Sequence, residues 1–64
     1  MSKDPSRMNL EEVQEAYDHA VRNLSAHQIA EIQRDPIERP NDGVKILLCK
    51  TLYRRLLHLE STTH

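Results

Sequence analysis

The chain has no phenylalanine and no tryptophan, and among its 64 residues there are only one glycine, one cysteine and two tyrosines. Each scarcity excludes something. A lone cysteine, Cys49, cannot close an internal disulfide. Secreted domains of this size ordinarily carry several such bridges, so a cytoplasmic protein is expected. One glycine and three prolines cannot punctuate a series of short strands, so no sheet is expected. The longest apolar region, 44–59, is shorter than a membrane span and is interrupted by Lys45, Lys50, Arg54, Arg55 and His58. The opening residues, Met1 to Arg7, contain no apolar run of the signal-peptide kind, and no membrane partner is expected. A chain this short buries only about 60 % of its unfolded surface. It has little material to wall a catalytic pocket of roughly 300 Å³, so no enzyme is expected.

The residues that are abundant are helix formers: Leu, Ala, Glu, Gln and Arg. The fold expected is all-α: two long helices and a short middle helix forming a helical hairpin. Residues 1–8 read as a flexible tail, 9–60 as one helical domain, and 61–64 as a second flexible tail. Asn9 followed by Glu12 is a capping box, and Met8 with Val13 is spaced as a hydrophobic staple. A helix over about 10–24 is therefore expected. Its apolar stripe comprises Leu10, Val13, Ala16, Tyr17, Ala20, Val21 and Leu24, and Asp18 and Arg22 are spaced for an i,i+4 pair.

That stripe loses phase at Ser25. Ser25 and Gln28 form a second capping box, with Leu24 and Ile29 as its staple. A short helix over about 26–34 follows. Asp35 to Gly43, with Pro36 and Pro40, reads as a connection. Within it Asp35 is placed to cap a single turn, and Ile37 to plug the end of the core. Asn41 or Asp42 is the expected cap of the last helix, about 43–60.

The last helix carries the most information. At about 100° per residue, Ile46, Leu48, Cys49, Leu52, Tyr53, Leu56, Leu57 and Leu59 cover an arc of roughly 180°. One neighbouring helix needs little more than about 100°. The surplus points to a homodimer that pairs its last helices into a bundle, with Ile46, Leu48, Leu52, Leu56, Leu57 and Leu59 at the dimerisation face. Small chains often gain stability in this way.

Charge is divided along the chain. Residues 1–38 hold four basic and eight acidic side chains, and residues 39–64 hold five and two, for sums of −4 and +3. Lys50, Arg54, Arg55 and His58 share the arc opposite the leucines, with Thr51 among them. Such a stripe is either a solvated face or a binding surface for a larger protein with an acidic patch. The partner-binding residues expected are Lys50, Arg54, Arg55, His58 and Tyr53, with Tyr53 or Tyr17 as the anchor.

Metal chemistry would have to draw on His19, His27, His58, His64, Cys49, Glu15 and Asp18. Glu15 and His19 share a helix face at i,i+4, which permits two ligands, but no Cys-x-x-Cys, His-x-x-x-His or Glu-x-x-His is present, so no metal and no cofactor is expected. Cys49 sits mid-arc, where a thiol acts as a small hydrophobe.

Leu24-Ser25-Ala26-His27-Gln28-Ile29-Ala30-Glu31-Ile32 resembles the first helix of a helix-turn-helix. The resemblance covers nine residues and implies a nucleic-acid-binding transcriptional regulator using residues 25–58. The sequence departs from that motif in its long, proline-bearing connection and its missing turn glycine. Its net charge of −1 also lacks the positive excess such binding draws on. The main expectation is thus a non-enzymatic interaction module that regulates or inhibits a larger protein, with nucleic-acid binding as the alternative.

Overall fold

The computed structural model describes residues 4–62. Among them are three α-helices: α1, Leu10–Ala20; α2, Ala26–Arg34; and α3, Val44–Thr62. No strand occurs among the described residues. Both capping boxes form. The Asn9 side chain accepts from the Glu12 N–H at 2.8 Å, and Glu12 Oε1 accepts from the Asn9 N–H at 3.0 Å. Ser25 Oγ accepts from the Gln28 N–H at 3.2 Å, and Gln28 Oε1 from the Ser25 N–H at 3.0 Å. These reciprocal bonds satisfy amides that the first turn of a helix leaves open.

Several local expectations are corrected. α1 ends at Ala20 rather than continuing to Leu24. Val21 to Leu24 form a turn in which the Leu24 N–H donates to the Val21 carbonyl at 3.0 Å. The extended backbone of Ser25, which its cap requires, means that the chain must leave the α1 spiral first. Asp18 and Arg22 therefore make no ion pair. Part of the segment expected as a tail folds: Pro5–Arg7 make a 3₁₀ turn capped by Asp4, whose Oδ1 accepts from the Ser6 N–H at 3.1 Å. Met1 to Lys3 lie outside the described residues. At the other end Ser61 and Thr62 are helical, and Thr62 Oγ1 donates to the Leu59 carbonyl at 3.0 Å. Thr63 and His64 lie outside the described residues.

The connection also differs. Pro36 starts no helical turn, and the Asp35 carboxylate pairs with Arg39. Asp42 does not cap α3. The Leu47 N–H reaches the Gly43 carbonyl at 2.9 Å, so Gly43 holds the cap position. Ile37 is half exposed, at 51 %, and plugs nothing.

α1 packs against α3. Arg55 of α3 reaches the carbonyl of Met8, just before α1, and Tyr17 of α1 packs on Tyr53 of α3 with ring centroids 5.5 Å apart. α2 also packs on α3. The core is Val13, Tyr17, Ile32, Cys49 and Leu52.

Candidate functional site

The five buried apolar side chains come from all three helices, and α3 supplies two of them, Cys49 and Leu52. These lie in the middle of the α3 leucine arc. Ile46, Tyr53, Leu56 and Leu59 are half-buried. The two residues at the limits of the arc, Leu48 and Leu57, are 47 % and 43 % exposed. The helices of the same chain therefore cover the centre of the arc and leave both edges open. Of the expected dimerisation residues, Leu52 belongs to the chain's own core and is corrected accordingly.

The basic arc meets a different fate. The 35–43 connection folds across it. Lys50 is 7 % exposed; its Nζ lies 2.6 Å from Asp42 Oδ2 and donates to the Ile37 carbonyl at 3.0 Å. Asp42 Oδ2 also accepts from the Arg39 N–H at 3.0 Å, which closes the turn preceding α3. The Lys50 ammonium beside it holds the Asp42 carboxyl below the usual range. Glu38 Oε1 accepts from Arg54 at 2.8 Å and from Thr51 Oγ1 at 3.3 Å. Arg55 is half-buried, donates to the Met8 carbonyl at 3.5 Å, and has its Nε buried without a partner. Of the four basic residues of the stripe, His58 alone stands exposed with no ion pair among the described residues. The expected open stripe is thus corrected: Lys50 is an internal strut, and Arg54 and Arg55 are tied to their own chain.

Neither tyrosine is a free anchor. Tyr17 is buried and its hydroxyl accepts from Gln33 Nε2 at 3.2 Å; burial pushes its pKa up. Tyr53 is half-buried against it. Burial likewise pushes the Cys49 thiol up, away from the nucleophilic thiolate. Among the described residues no three metal-ligating side chains converge, and no helix is long and apolar enough to cross a membrane.

What remains open is a groove of about 980 Å³ between the 3₁₀ turn, α1 and the Leu48 edge of α3. Met8, Ala16, Ala20 and Leu48 supply its apolar surface, and Asp4, Glu15 and Asp18 are its carboxylates. Comparison with protein-family models, with curated proteins and with solved structures finds no match to this chain. Sequence reasoning missed the groove because its walls come from three separated segments. The one available signal was the Asp4-Pro5 pair, a capped-turn signature that builds the near wall.

Proposed function

We propose that this chain is a non-enzymatic protein-interaction module that works as a homodimeric helical bundle and regulates or inhibits a larger protein by docking on it. One observation carries the reading. The core contains five buried apolar side chains, while Ile37, Val44, Leu48 and Leu57 of the same chain stand 43–85 % exposed. Burying a leucine or valine fully is worth about 1.5–3 kcal/mol. A small core beside so much uncovered apolar surface favours association.

The Leu57 edge is the face for a second copy. Leu57 follows Lys50 by seven residues and so lies at nearly the same phase of α3. Ile37 is held over Lys50 through its carbonyl. Both thus belong to the flank of α3 that the connection borders, opposite the Leu48 edge, and a two-fold pairing there sets each flank against its own copy. The docking of a larger protein is left to the opposite edge.

The nucleic-acid alternative gains no support from this geometry, because Lys50 and Arg54, which would contact phosphates, are paired with Asp42 and Glu38. Sedimentation equilibrium tests the dimer. The expected result is a two-chain mass for the wild type and a helical monomer for Leu57→Glu. A well-folded wild-type monomer at the highest attainable concentration overturns it.

A further inference from the structure

We infer that the groove between the Pro5–Arg7 turn, α1 and the Leu48 edge of α3 receives a cationic amphipathic helix from the partner protein. This deepens the interaction-module reading and rests on it. The groove is about 980 Å³, enough for the apolar face of one helical turn or two rather than for a small metabolite held on all sides. Ala16 and Ala20 have short side chains one turn apart on α1, so an incoming backbone can approach closely there. Leu48, nearly half exposed, and Met8 offer the apolar contact on either side.

Charge then selects the occupant. The lining holds three carboxylates, Asp4, Glu15 and Asp18, against one guanidinium, Arg22, and the imidazole of His19. Glu15 and Asp18 are exposed and have no ion pair, and neither has Glu11, one turn before Glu15. By contrast, the carboxylates Asp35, Glu38 and Asp42 are all taken by Arg39, Arg54 and Lys50. Unmatched negative charge thus lies beside an apolar groove that α3 leaves open. A helix with leucines at i, i+3, i+4 and i+7 and lysine or arginine flanking them is complementary in both respects. An acidic partner surface is repelled.

The test uses the full chain and two synthetic helical peptides of equal length, one of leucine and lysine and one of leucine and glutamate in the same pattern. Binding is followed by amide chemical shifts and by calorimetry. The expected result is binding of the lysine peptide alone, with shifts concentrated at Ala16, Ala20 and Leu48 and an affinity that falls as salt rises. Glu15→Lys with Asp18→Lys is expected to weaken it about tenfold or more with helicity unchanged. Leu48→Ser weakens it without touching charge. Equal binding of both peptides, no binding, or shifts located elsewhere overturns the inference. So does a lysine peptide that disperses a dimer in which the groove holds the second copy. The dimer itself is read separately by sedimentation of Leu57→Glu, so either claim can fail without the other.

Discussion

Lys50 and Asp42 are joined at 2.6 Å across the junction between the connection and α3, and the same ammonium holds the Ile37 carbonyl. Three backbone segments meet there: the middle of the connection, the turn closed by Asp42, and the second turn of α3. Lys50 does what a capping residue does elsewhere, except that it fixes a loop rather than a helix end. Replacing Lys50 with Ala leaves that carbonyl without its donor in a half-covered site. The expected loss of stability is about 1–3 kcal/mol, measured by urea unfolding, with far-ultraviolet helicity unchanged at low urea.

Acid is expected to release the same connection. The Asp42 carboxyl is held low first by its hydrogen bond from Lys50, and Asp35 first by its hydrogen bond from Arg39. A carboxylate with a depressed native pKa contributes stability above its unfolded value of about 3.9, and that contribution is lost as pH falls through the native value. Melting temperature is therefore flat near neutrality on this account and falls below about pH 4. Asp42→Asn starts lower and falls less steeply across that acid range. Identical slopes for the two proteins would remove Asp42 from the explanation.

The centre and the edge of the α3 arc are expected to respond differently. Leu52 is 2 % exposed, and Leu52→Ala costs about 2–5 kcal/mol, enough to unfold much of a chain this small. Leu57→Ser, at an edge, costs far less within one chain and acts on association instead. Thermal melts at several protein concentrations separate the two effects. The wild-type melting temperature rises with concentration, and that of Leu57→Ser does not.

Tyr17 combines a stacked ring with a hydrogen bond from Gln33. Tyr17→Phe keeps the ring and removes the acceptor, at an expected cost of about 0.5–1.5 kcal/mol. In a double-mutant cycle with Gln33→Ala, the coupling recovers most of that loss. A coupling of zero shows that the bond contributes nothing in solution.

Cys49 is fully buried, and burial raises its thiol pKa. An alkylating reagent is expected to modify it only through opening of the α1–α3 interface. The logarithm of the modification rate then rises in Lys50→Ala and in Leu52→Ala in step with their loss of stability. A rate that is fast in the wild type and indifferent to both variants contradicts the packing described.

Those features of the chain that depend on neighbours within four residues were legible in the sequence. Asn9 with Glu12 and Ser25 with Gln28 set two helix starts, because a capping box is closed by a side chain and an amide three positions apart. The scarcity of glycine and the leucine spacing set the helical class. The width of the α3 arc was equally plain, since angles around a helix follow from residue number alone.

Tertiary structure decided what each direction on that helix faces. The wheel put Lys50 on an outward arc; the connection, folding back, covered it and supplied Asp42 and the Ile37 carbonyl from eight and thirteen residues away. It also split the leucines into a covered centre at Cys49 and Leu52 and open edges at Leu48 and Leu57. Pairing between charges depends on distances that a loop sets only once its backbone is fixed. Lys50 and Arg54 of α3 are therefore matched by Asp42 and Glu38, while Glu11, Glu15 and Asp18 of α1 stand exposed without an ion pair.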